Sequence, residues 1–112
     1  ALERKYGLKP GILKVMIEKE SSGNPNARSN HGAVGLFQLT PQSGFKGNPL
    51  DPYASAEFAA QMLSRLVDRF GSYTKATAAY NWGESNLARK GLRKAPKETK
   101  GYVKFFRSRG YA

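Results

Sequence analysis

Apolar residues recur at three- and four-residue intervals along most of this chain, a pattern that predicts helices joined by Gly/Asn/Pro loops. Ile12, Leu13, Met16 and Ile17 form the first stripe, in a helix with Pro10 in its opening turn. Lys14 and Glu18 fall on the opposite, solvated face. Ser22-Gly23-Asn24-Pro25 ends that helix, because Gly and Asn tolerate the left-handed conformation and Pro cannot continue it. Thr40 as N-cap and Pro41 in the first turn open a short helix. Residues 48–52 read as a turn, and Asp51 caps a longer helix beginning at Pro52. Its stripe is Ala59, Met62, Leu63, Leu66, Val67 and Phe70, with Gly71 as its stop; this is the expected central core helix. A helix from Thr74 carries Ala76, Ala78, Ala79 and Tyr80 and stops near Gly83. A short helix covers residues 84–90, and the last runs from about residue 96 to 109 with Tyr102, Val103, Phe105 and Phe106 on its apolar side. Only residues 33–39 read as extended, a small hairpin. The expected fold is mainly α, a single domain over residues 1–112.

One acid interrupts this pattern. Glu20 lies three residues after Ile17, four after Met16 and seven after Leu13, so it continues the first apolar stripe into the last turn of its helix. A carboxyl among apolar neighbours is costly to ionise, and the helix dipole at that end also opposes negative charge. Such a group can hold a proton near neutral pH, as an acid catalyst must. The other reading, an exposed and frayed helix-end residue, stands beside it. The Gly-rich segment from Gly32 to Pro41 follows and can pass close to a ligand. Phe37 and Gln38 alternate in it, so that one faces a groove and the other the core.

Composition narrows the chemistry. Nineteen Lys and Arg stand against eight Asp and Glu, a net charge of +11, which draws the chain toward anionic partners. The basic residues are thickest after Lys90. A merely basic, solvated surface explains them as well. With no cysteine, disulfides and Cys-ligated zinc are excluded; with one histidine, His31, there is no Ser–His triad pattern, and a His-based metal site is not expected, nor is a cofactor. There is no membrane-length apolar run and no signal-peptide pattern. Residues 1–5 read as the edge of a trimmed chain, so export stays open.

Glycosidic cleavage needs a proton for the leaving oxygen and a second group for the oxocarbenium-like centre. Asp51 is accounted for as a cap, and Glu57 and Asp68 lie off the apolar stripe of their helix. Glu84 and Glu98 remain, each at a loop or helix start. Sequence alone forms no two-carboxylate pair, which fits a one-acid mechanism. Tyr80-Asn81-Trp82-Gly83 groups two aromatics and an amide at a helix end. Sugars bind through ring faces on aromatics and hydrogen bonds to amides, and this group suits them. A core Tyr, an Asn C-cap and a packed Trp account for the same residues.

Taken together these residues resemble the soluble-lytic-transglycosylase (SLT) catalytic domain, which has a goose-lysozyme-like fold. The resemblance rests on Glu20-Ser21, Ser29, Gly35-Leu36-Phe37-Gln38 with Pro41, Ala79-Tyr80-Asn81-Trp82-Gly83, and Glu98-Thr99 with Tyr102-Val103, in order over roughly residues 6 to 106. It implies that Glu20 is the catalytic acid/base. Ser29, Gln38, Tyr80 and Asn81 would line a sugar groove, closed from the last helix by Glu98 and Tyr102. Phe37 replaces the family's usual Met and Trp82 its usual small residue, adding bulk near that groove. The implied reaction breaks the β-1,4 bond between N-acetylmuramic acid and N-acetylglucosamine in peptidoglycan and leaves a 1,6-anhydro end, with no metal or nucleotide. The implied partners are peptidoglycan glycan strands and anionic wall polymers, not nucleic acid. The chain is expected to act as a monomer in the bacterial wall or periplasm, exported or phage-associated. Two alternatives remain: a goose-type lysozyme that hydrolyses the same bond, and a non-catalytic basic module that binds wall polymer or nucleic acid.

Overall fold

The computed structural model describes residues 1–112, apart from the side chain of Gln42. It is mainly helical, as the periodicity predicts. The helices are α1 (Leu2–Lys5), α2 (Ile12–Ser21), α3 (Pro52–Phe70), α4 (Tyr73–Trp82), α5 (Glu84–Lys90) and α6 (Lys97–Ser108), with 3₁₀ turns at Pro41–Ser43 and Leu92–Lys94. The chain divides into two compact units, residues 1–61 and 62–112. No helix among the described residues is long and apolar enough to cross a membrane.

In the first unit α2 starts at Ile12 rather than at Pro10. Gly11 sits in the left-handed region at φ 91°, which breaks any continuous helix from Pro10. Gly11 has no side chain to cap the helix, and the N–H of Leu13 is satisfied instead by Glu3 Oε2 at 2.9 Å. Ile12, Leu13, Val15 and Met16 are buried, while Lys14 and Glu18 point to solvent. Val15 joins the core because the apolar arc of a packed helix is wider than one narrow stripe. Ser22 ends α2 at φ 54°, its N–H donating to the Glu18 carbonyl at 3.1 Å. Lys5 and Tyr6 both donate to Glu57 Oε2, at 2.7 and 2.5 Å, which ties the α1 end to α3.

The extended segment at residues 33–39 is smaller than the alternation suggests. Val34 bridges antiparallel to Arg28 and to Leu39, and the four residues between Val34 and Leu39 form a turn. Positive φ at Gly35 (86°) and at Gln38 (50°) bends the chain, so Phe37 and Gln38 do not alternate as strand neighbours. Asp51 caps α3 as expected, its Oδ1 accepting from the N–H of Tyr53 and Ala54 at 3.0 and 3.3 Å. Along α3, Ser55, Ala59, Ala60, Leu63 and Leu66 are buried, with Met62, Val67 and Phe70 at the edge of that face.

In the second unit Ser72 caps α4, accepting from the N–H of Lys75 at 3.1 Å. α4 packs on both α5 and α6. Ala76, Ala78 and Ala79 of α4 are small and fully buried. α6 contributes Thr99, Tyr102, Val103 and Phe106 to the core, with the Tyr102 and Phe106 rings 5.1 Å apart. Each large apolar side chain buried in this way is worth about 1.5–3 kcal/mol.

Candidate active site

Glu20 is the second-to-last residue of α2 and sits half-buried, at the margin between the helix's apolar face and solvent. Met16, one turn earlier, and Ser21 beside it are buried. The Ser21 hydroxyl donates to the Ile17 carbonyl at 3.0 Å and so closes the last turn around Glu20. Of the stripe that singled out Glu20, Ile12, Leu13 and Met16 are buried, and Ile17, like Glu20, is half-buried.

The loop after α2 is held by its own polar groups. Ser29 Oγ accepts from the N–H of His31 and of Ala33, both at 3.1 Å. Its lone pairs are thereby engaged and its proton is left to donate. Gln38 Nε2 donates to the carbonyls of Ala27 and Gly35, at 3.1 and 2.8 Å. Both amide hydrogens are used, so Gln38 offers Oε1, an acceptor, to anything that binds. Phe37 is 1% exposed and is a core residue of this unit, with no face turned to a groove. His31 is exposed, as its loop position predicts.

In the second unit Tyr80, Asn81 and Trp82 are the last three residues of α4, and all are half-buried. Asn81 Oδ1 accepts from the Thr99 hydroxyl at 2.8 Å, and its Nδ2 donates to Glu98 Oε2 at 3.3 Å. The Trp82 carbonyl accepts from Asn86 Nδ2 at 2.8 Å, which latches α5 onto the end of α4. The corner after Trp82 is pinned by Glu84, which takes a bidentate pair from Arg65 at 2.9 and 3.0 Å and a further one from Arg69. Those hydrogen bonds, Arg65 first, lower the Glu84 pKa to about 2. Glu84 is thus a fixed negative charge and a poor base. Glu98 is exposed, whereas Tyr102 is 2% exposed and packs on Phe106.

The sequence motif names Thr99 without giving it a role, and the Arg65/Arg69 pair is not singled out at all. Thr99 carried a usable signal: a polar residue on the face of α6 that also bears Tyr102, Val103 and Phe106 must find a buried partner. The arginines carried none, since their acid lies 15 and 19 residues away. Among the described residues no group of three His, Cys, Asp or Glu is placed to hold a metal ion.

The mainly helical fold is of the lysozyme-like class. The chain belongs to the transglycosylase SLT domain family, whose model matches residues 1–103. It is 35% identical over 86 residues to a transglycosylase of Enterobacteria phage PRD1, covering 74% of this chain and 32% of that protein. It is 42% identical over 82 residues to a membrane-bound lytic murein transglycosylase F of Shewanella pealeana, covering 63% and 17%. The fold superposes on the 70-kDa soluble lytic transglycosylase in complex with bulgecin A with a TM-score of 0.77, over 96% of this chain and 24% of that one, at 23% identity. The chain spans about a third or less of the length of these relatives.

Proposed function

We propose that this chain is a peptidoglycan-cleaving lytic transglycosylase domain, acting as a single domain over residues 1–112 with Glu20 as its one acid/base. The observation that carries the reading is the half-buried Glu20 at the end of α2 in a chain whose family match runs over residues 1–103. Glu20 protonates the oxygen linking N-acetylmuramic acid to N-acetylglucosamine. The C1–O bond then breaks and charge develops on the muramoyl ring. The Glu20 carboxylate next takes the proton of the muramoyl 6-hydroxyl, whose oxygen bonds to C1 and gives a 1,6-anhydro end. Atoms balance without water. Ser29 and Gln38 contact sugar as donor and acceptor, and Tyr80, Asn81, Trp82 and Glu98 supply further contacts. Phe37 and Tyr102 support these residues from the core.

Hydrolysis of the same bond needs a second carboxylate to position water. Glu84 is a weak base for that task, because two guanidinium groups occupy its carboxylate and lower its pKa to about 2; Glu98, exposed on α6, is the other acid a hydrolase would use. The setting we propose is the bacterial wall, with peptidoglycan strands as partner; relatives named as phage transglycosylases and membrane-bound lytic murein transglycosylases support it.

Glu20→Gln tests the assignment. The amide keeps the shape and cannot give or take the proton, a step that contributes about 10²–10⁴-fold. Clearing of a wall suspension should fall by that factor while the circular-dichroism spectrum stays unchanged. Clearing at the wild-type rate would remove Glu20 from the mechanism.

A further inference from the structure

We propose that Thr99 is a positioning residue that, together with Glu98, holds the Asn81 side-chain amide in one place and orientation toward a bound glycan. This rests on the glycan-cleaving reading above and adds a residue to it.

Thr99 lies on the buried face of α6 and is 1% exposed. A hydroxyl in that position costs free energy unless it is bonded. Its partner is Asn81 Oδ1, at 2.8 Å, on the neighbouring helix α4. Glu98, the residue before Thr99, accepts from Asn81 Nδ2 at 3.3 Å. Consecutive residues of one helix therefore hold opposite ends of one side-chain amide. A carboxylate has only acceptors, so a flipped amide would set its oxygen against the oxygens of Glu98. The pair admits one orientation. In that orientation Oδ1 is engaged by a buried donor and one Nδ2 hydrogen is engaged by Glu98. What Asn81 has left at its half-buried surface is its second N–H and the second lone pair of Oδ1, held in a fixed place for a sugar hydroxyl or acetamide to meet.

The test is a double-mutant cycle of Thr99→Val and Asn81→Ala, read as kcat/KM on native wall glycan, with Thr99→Ser as the conservative variant. Valine keeps the shape and removes the hydroxyl. Thr99→Val should lower kcat/KM roughly tenfold in the wild-type background and by less than about twofold when Asn81 is already alanine. Thr99→Ser should recover most of the loss. An equal loss in both backgrounds, or no recovery with serine, would mean that Thr99 acts through packing and would overturn the proposal. A second reading needs no substrate. The Asn81 side-chain amide resonances of the free protein should shift in Thr99→Val and stay near wild type in Thr99→Ser; unmoved resonances in Thr99→Val would overturn the positioning role. A wild-type protein that cleaves no glycan would refute the functional reading alone, and the amide resonances would still decide the place of Thr99.

Discussion

At Gly35 the backbone takes φ 86°, its N–H donates to the Ala27 carbonyl at 2.8 Å, and a Cβ there would run into the carbonyl oxygen of Pro49. Conformation and space both demand glycine. Gly35→Ala should therefore destabilise the protein by about 1–3 kcal/mol, seen as a melting temperature lower by several degrees; an unchanged melt would contradict this account of the loop. Gln38 locks the same turn by bonding Ala27 and Gly35 through its amide hydrogens. Single residues differed in how legible they were. Glu20 was readable because helical spacing alone puts it on the apolar stripe. Phe37 and Tyr102 were named for a groove and stand in the core, because a one-dimensional motif does not say which side of a turn or helix a side chain takes. Thr99 was visible within the Glu98-Thr99 motif, but its partner is 18 positions away.

Among elements, the helices with strong periodicity were read closely: α5 spans residues 84–90 as expected, and α3 and α6 match to within about a residue. The start of α2 was not, because its cap comes from Glu3, ten positions upstream. The extended segment shrank for a different reason, since positive φ at Gln38 is set by side-chain bonds rather than by local propensity. The α4–α5 corner offers a pH test. The Glu84 pKa is lowered to about 2, so its stabilisation is fully present above the ordinary carboxylate value near 4.5 and is lost as pH falls toward 2. Arg65 and Arg69 are each about half exposed, so solvent screening reduces the contribution to about 1–2 kcal/mol at neutral pH. Glu84→Gln should lower the urea midpoint at pH 7, and the gap to wild type should close between pH 4.5 and pH 2. A gap that stays constant over this window would contradict the ion-pair account.

Across the whole molecule, charge is unevenly spread. Residues 62–112 hold twelve Lys and Arg against three Asp and Glu, whereas residues 1–61 hold seven against five. On α6, Lys97, Lys100, Lys104 and Arg107 are exposed at intervals of three and four residues, a row about 15 Å long. The Debye length falls from roughly 10 Å at 0.1 M salt to about 3 Å at 1 M. Lysis of intact wall should therefore weaken as salt rises, while cleavage of a short soluble glycan changes much less. Equal salt sensitivity on both would show that this charge does not recruit the wall. The central claim, one carboxyl passing a proton with no water consumed, is tested most directly by mass spectrometry of wall digested with the wild type and with Glu20→Gln. The account predicts muramoyl ends one water lighter than reducing ends from the wild type, and about a hundredfold fewer, or fewer still, from the variant over the same time. Reducing ends from the wild type, or anhydro ends from Glu20→Gln at the wild-type yield, would contradict it.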